Sequence, residues 1–227
     1  GALCEALVAE ARKAKVGDGL DPATTLGPIQ NKMQYDKVVN LIEDSKKAGA
    51  KFLAGGTTLI DLMKLDVMRP ERVIDINALG ADEIEIGADR LRLGASVRMA
   101  DAEMHEELRR RVPMLPQSLA LAASTQLRHM ATLGGNVLQR TRCPYFRDVS
   151  WSACNKRVPG SGCAAMEGFN RQHAVLGTSE ACIATYPGDF AQALIALDAT
   201  VDVVGTGGRR QIPFSKLHVP PGQTPDV

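Results

Sequence analysis

The sequence predicts an α+β chain. Three observations carry that assignment. Several segments place apolar residues at helical spacing, and residues 82–97, "DEIEIGADRLRLGASV", alternate apolar and polar as a hairpin does. Helices, hairpin and strands also follow in mixed order, without the strand–helix alternation of a doubly wound sheet.

In chain order, residues 2–15 show helical spacing at Leu3, Leu7 and Val8. Residues 16–28, "VGDGLDPATTLGP", are a Gly/Pro/Asp-rich loop. Residues 31–48 form a second helix, with Tyr35, Val38, Val39 and Ile42 on one face and Gly49 placed to cap its end. A short strand, "KFLA", leads to a tight turn at Gly55 and Gly56. Thr57 or Thr58 then stands where a hydroxyl could cap the helix "LIDLMKL". "RVIDINA" is a strand, and the hairpin turns at Ala88 and Asp89. "MADAEMHEELRRRV" is a charged amphipathic helix, "PMLPQSLALAAS" a more buried one, and "LRHMATLGGNVLQ" brings a second Gly-Gly turn. Residues 141–186 are irregular, with no sustained period. "DFAQALIALDA" is a helix, and "TVDVVGTGGRRQIP" reads as strand, turn, strand.

A net charge of +1 leaves no field that would favour nucleic acid or an anionic membrane. No apolar run approaches the roughly 20 residues that cross a bilayer. With 44% hydrophobic residues the chain can build a core.

Two segments share a pattern, "AGGTT" at 54–58 and "TLGGN" at 132–136. Glycine lets backbone approach a ligand and reach positive φ, and successive amides there make an anion-binding concavity. Two such turns brought together could hold a pyrophosphate from both sides. The G-x-G-x-x-G of a nicotinamide site is missing. No Ser/His/Asp set or H-E-x-x-H is present either, so no side chain is assigned as acid, base or nucleophile.

"KFLAGGTTLIDLMKLDVMRPERVIDINAL", taken with "QLRHMATLGGNVLQRTRCPYF", resembles the FAD-binding subunit of the molybdenum hydroxylases, the xanthine dehydrogenase and aldehyde oxidoreductase group. The resemblance runs from about Lys51 onward. It implies an FAD-binding domain of the PCMH (vanillyl-alcohol-oxidase-like) type, with two small α/β subdomains and its C-terminal domain truncated. The implied FAD contacts are Lys51, Phe52, Leu53, Ala54, Gly55, Gly56, Thr57, Thr58 and Leu59 from the first loop, and Thr132, Gly134, Gly135 and Asn136 from the second. Asp189, in "TYPGDF", matches a family position near the flavin nucleotide. Position 129 is His where the family usually has Asn.

Cys143, Cys154, Cys163 and Cys182 are spaced x10, x8 and x18. The paired C-x2-C knuckles of zinc ribbons are absent. Four thiolates on irregular backbone suit a [4Fe–4S] cubane, but spacing alone leaves cluster, zinc and free thiols open. The segments "QRTRCPYF", "CNKRVPGSGC" and "SEACIATYPGD" resemble the cluster-bearing insertion of the aldehyde oxidoreductase branch. That resemblance implies that all four cysteines bind [4Fe–4S], within an insertion at about 140–186. Arg140, Arg142, Lys156 and Arg157 flank them and would offset an anionic cluster. The glycine turns and the cysteines are read as separate sites.

Residues 1 to about 56 resemble instead an internal piece of an NAD-dependent aldehyde dehydrogenase, "GDGLDP…TLGP" included. The domain reading is therefore 1–50, aldehyde-dehydrogenase-like, and 51–227, FAD-binding. Cys4 is read as a small packing residue. The function implied is that of an FAD and iron–sulfur electron-transfer subunit. The molybdenum cofactor would sit on a large partner and [2Fe–2S] centres on a small one. The alternatives are a non-catalytic truncated module with a structural Cys4 metal, and an aldehyde dehydrogenase fragment. The sequence shows no export signal and points to the cytoplasm, with periplasmic placement left open through co-export with a signal-bearing partner.

Overall fold

A computed structural model describes residues 49–205, 208–223 and 225. The expected helices over 2–15 and 31–48, the loop between them and Cys4 lie outside these residues. Gly49–Val203 and Arg210–Val227 make one compact unit. Gly49, the expected cap, has φ +73°.

The unit opens with β1 (Lys51–Leu53), α1 (Leu59–Lys64) and β2 (Val73–Asp75). β1 and β2 pair in parallel, Lys51 opposite Val73 and Leu53 opposite Asp75, so α1 lies in the crossover that a parallel pair requires. β3 (Ile84–Ile86) and β4 (Leu91–Leu93) form the expected antiparallel hairpin. Its exposed face carries the cross-strand Glu85–Arg92 pair. Ile84, Ile86, Leu91 and Leu93 pack on the main core.

That core is helical. It joins Val97, Met99, Ala102, Leu108, Leu115, Leu119, Ala131, Leu133, Phe190 and Ala193. The segment 99–112, expected as one helix, is two: α2 (Met99–Met104) and α3 (Glu106–Arg111). The break is His105, which is extended (φ −66°, ψ 117°), and whose Nδ1 accepts from the Leu108 amide at 3.4 Å. Capping the second helix with a side chain replaces the hydrogen bonds that the break forfeits. α4 (Met114–Ala120) and α5 (Thr125–Met130) follow, and α9 (Asp189–Ala196) closes the core through Phe190, Ala191 and Ala193. Buried Arg128 pairs with Glu103 at 2.6 Å and donates to the Ala122 carbonyl, fixing the α4–α5 corner to α2.

The second glycine segment is also not a turn. Residues 133–137 form α6 (Leu133–Val137), capped by Thr132, whose Oγ1 accepts from the Gly135 amide at 3.1 Å. Glycine disfavours a helix, so it needs another reason here. At Gly134 the reason is room: a Cβ would stand 3.0 Å from the Ala95 carbonyl oxygen.

Between α6 and α9 the chain is irregular, as expected, apart from α7 (Pro144–Arg147) and α8 (Ala164–Glu167). β5 (Thr200–Gly205) and β6 (Gly208–Pro213) pair as a third two-stranded sheet.

Candidate functional site

The two glycine segments meet. Gly55 is buried, and a Cβ on it would stand 2.1 Å from the Met130 carbonyl oxygen and 2.9 Å from the Ala131 Cα. The first bend therefore lies directly on the backbone that enters Thr132 and α6. A side-chain chain of hydrogen bonds holds them there. Asn77 Nδ2 donates to the Ala54 carbonyl at 3.0 Å, Arg98 Nη2 donates to Asn77 Oδ1 at 3.0 Å, and Arg98 Nη1 donates to the Met130 carbonyl. Asp75 anchors Asn77 by accepting from its backbone amide at 2.8 Å. That bond, with the Asn77 side chain and, more weakly, Arg98, holds the Asp75 carboxyl below the usual carboxylate range. Arg98 and Asn77 carry no motif, and sequence reasoning missed both.

The two segments differ in what they have left to offer. Among the described residues no acceptor takes the amides of Gly55, Gly56, Thr57 or Thr58. Gly56, at φ +76°, turns the chain so that these amides follow one another round a bend. Thr58 occupies the cap position of α1, but neither threonine caps it with a side chain. From Leu133 to Asn136 the second segment has spent its amides. Leu133 donates to Val97, Gly134 to Ala95, Gly135 to Thr132 Oγ1 and Asn136 to the Thr132 carbonyl. Its remaining polar feature is Asn136, whose Oδ1 is buried without a partner while Nδ2 reaches the Met99 sulfur at 3.7 Å. The run of amides still free to meet an anion therefore lies in the first bend, and the second offers a close backbone and the Asn136 side chain. An orphaned buried acceptor and a run of free donors suit a nucleotide cofactor, which has both phosphate oxygens and polar ring atoms.

Of the other expected contacts, Lys51, Phe52 and Leu53 form β1 and Leu59 begins α1. Asp189 is the exposed first residue of α9. The chain just before it is tied to the end of α6, because Gln139 donates to the Pro187 carbonyl at 2.9 Å and Tyr186 to the Val137 carbonyl at 2.7 Å. Burial pushes the Tyr186 phenol up to about 12, so it stays a donor at every physiological pH. His129 is exposed.

The four cysteines line one recess, with about 290 Å³ of empty space when its open mouth is included. Cys154 and Cys163 face each other across an isolated antiparallel bridge, and Cys182 pairs with Ser179. Asn155 staples these segments. Its Oδ1 accepts from the Gly162 amide at 2.9 Å and its Nδ2 donates to the Ala181 carbonyl at 2.8 Å, beside Cys163 and Cys182 respectively. All four are free thiols that line the recess. Among the described residues no three His, Cys, Asp or Glu side chains are placed to hold a metal ion.

Burial pushes the Cys143 and Cys182 thiols up. The amides of Phe146 and Tyr145 oppose this at Cys143, and the Ala184 amide, 3.4 Å from the sulfur, opposes it at Cys182. Backbone N–H groups aimed at sulfur favour the thiolate, the form that binds metal. The flanking cations divide. Arg157 donates to the carbonyls of Tyr145, Phe146, Asp148 and Trp151 and so clamps the loop. Lys156 reaches the Pro225 carbonyl at 2.6 Å and also favours the Cys182 thiolate. Arg142 is exposed, and the Arg140 guanidinium lies 5.3 Å from the centre of the Phe146 ring.

The recess is joined to the first bend. Leu62 of α1, fully buried, packs on Phe146 and Cys154, and Arg147 is ion-paired with Asp61. The sites expected to be separate thus share one helix.

The fold and the amide-lined bend define a nucleotide-binding α+β domain. The chain belongs to the family described as the FAD binding domain in molybdopterin dehydrogenase, which matches residues 30–226. It is 55% identical over 181 residues to the aldehyde oxidoreductase FAD-binding subunit PaoB of Escherichia coli K12, covering 79% of this chain and 57% of that protein. The chain thus spans little more than half the length of that relative. A short second similarity, 46% over 50 residues, links 22% of the chain to 10% of a probable betaine aldehyde dehydrogenase of Schizosaccharomyces pombe. Among solved structures, the carbon monoxide dehydrogenase of Hydrogenophaga pseudoflava lacking the Mo-pyranopterin moiety aligns at TM-score 0.54 and 23% identity, over 79% of this chain and 47% of that one. Quinoline 2-oxidoreductase of Pseudomonas putida 86 aligns at TM-score 0.52 and 21% identity, over the same shares. These structural likenesses bear on the fold.

Proposed function

We propose that this chain is the flavin-bearing, electron-transfer part of a molybdenum-dependent oxidoreductase acting on aldehydes or xanthine-type heterocycles. Electrons would arrive from a large molybdopterin-binding partner through [2Fe–2S] centres on a small partner, and leave to an external acceptor. The observation that carries this reading is the contact of the first glycine bend, with its free amides at Gly55, Gly56, Thr57 and Thr58, on the backbone that enters the second. FAD supplies reversible electron storage when bound. The protein's part is to bind and orient it: amides toward the diphosphate, the Thr132–Asn136 backbone close against it, and Asn136 meeting a polar atom. Asp189 is assigned to the nucleotide end.

The same reading gives Cys143, Cys154, Cys163 and Cys182 a [4Fe–4S] cluster. What supports it is that all four thiols line one recess, with the Ala184 amide directed at the Cys182 sulfur. Residues 1–50 are assigned to an aldehyde-dehydrogenase-like segment and 51–227 to the FAD-binding domain, with the cysteine-rich insertion at about 140–186. The short betaine aldehyde dehydrogenase similarity supports the presence of such a segment, while the FAD-binding family match begins at residue 30. The complex is assigned to the cytoplasm, or to the periplasm if a partner carries the export signal.

Anaerobic purification followed by an absorption spectrum and flavin and iron analysis tests both cofactors. The expected result is one FAD and four irons per chain. A colourless protein containing zinc would support the structural-metal module instead.

A further inference from the structure

His173 is used by neither cofactor assignment, yet its ring stands against the sulfur of one of the four cysteines. Its Nε2 stands 3.2 Å from the Cys143 sulfur. The ring is held in place: the His173 amide donates to Asn170 at 2.9 Å, the next amide, Ala174, donates to Ile183 at 2.9 Å beside Cys182, and the Tyr145 ring lies 6.0 Å away at 46°. Its Nδ1 is buried with no partner.

Nδ1 stands without a partner in either tautomer. A thiolate that ligates metal has no hydrogen to give, so against it Nε2 carries the proton and aims its N–H at sulfur.

We infer that His173 is a positioning residue that donates an Nε2–H hydrogen bond to the Cys143 thiolate and thereby raises the reduction potential of an iron–sulfur centre held there. This inference rests on the cluster assignment made above. A donor to ligand sulfur withdraws charge, favouring the reduced, more negative state. It acts in the same sense as the neighbouring Tyr145 and Phe146 amides, which also favour the Cys143 thiolate.

The test is an EPR-monitored redox titration of the purified full chain, wild type against His173→Leu and His173→Gln. The Leu variant should keep its iron and flavin and titrate at a more negative potential. The Gln variant, which retains an N–H donor, should recover part of the shift. A cluster whose potential is the same in wild type and His173→Leu overturns the role of His173 and leaves the cluster assignment standing. A wild-type protein without a cubane signal overturns both. Should His173→Leu fail to hold iron, wild-type protein labelled with ¹⁵N-histidine decides. A ¹⁵N coupling to the reduced cluster, lost in His173→Gln, supports the hydrogen bond, and its absence in wild type refutes it.

Discussion

Gly55 and Gly56 are adjacent and are glycine for different reasons. Gly55 has no room: its missing Cβ would overlap the Met130 carbonyl, which is backbone and cannot swing aside. Gly56 has the wrong φ for other residues, while the atoms a Cβ would meet are the flexible ends of Ile60 and Leu53. Gly56→Ala should therefore cost about 1–2 kcal/mol in urea unfolding, the strain of a left-handed residue. Gly55→Ala should instead drive the two glycine segments apart and weaken FAD binding more than it weakens folding. Flavin fluorescence quenching measured beside the unfolding curve separates the two effects. The glycines were legible in the sequence as special positions, and which constraint each obeys was not. Asn77, Arg98, Asn155 and His173 were not legible at all. Each acts across long stretches of chain, Arg98 reaching Asn77 over 21 residues and Met130 over 32, with no local pattern to mark it.

Among the elements, the alternation at 84–93 and the helical spacing in α9 were readable because burial on one face imposes a period. The break at His105 was not, since apolar spacing runs through it and the side-chain cap that permits it is invisible in a pattern. "TLGGN" reads as a turn from composition, whereas Thr132 capping and the Ala95 contact make it helical. α1 has the most consequence for function. Its N-terminal end follows the free amides, while Leu62 and Asp61 on its flank hold Phe146, Cys154 and Arg147. Packed residues transmit displacement. Cys154→Ser should therefore lose iron and also release flavin more readily. Asp61→Asn, which breaks the ion pair and leaves the thiols intact, should loosen flavin with iron unchanged. Parallel iron and flavin analysis of the two variants checks this. Unaltered flavin retention in both would show that α1 carries nothing between the sites.

At the scale of the molecule, the described residues form three two-stranded sheets that leave stability to one helical core and one satellite cluster, with the glycine bend set where the β–α–β unit meets the helices. The mixed class was legible from element order. The convergence of residues 55 and 130–136 followed only from the fold, because it depends on the seam that joins 95–99 to 131–134. On the function proposed above, FAD is gripped through the amides of the first bend, those from Leu133 to Asn136 being already hydrogen-bonded. Amide-resolved ¹H–¹⁵N NMR with hydrogen exchange, before and after FAD is added, addresses it most directly. Gly55, Gly56, Thr57 and Thr58 should shift and gain protection, while Gly134, Gly135 and Asn136, already hydrogen-bonded, should gain little. Binding of FAD with the first four amides unmoved and still exchanging freely would contradict the account.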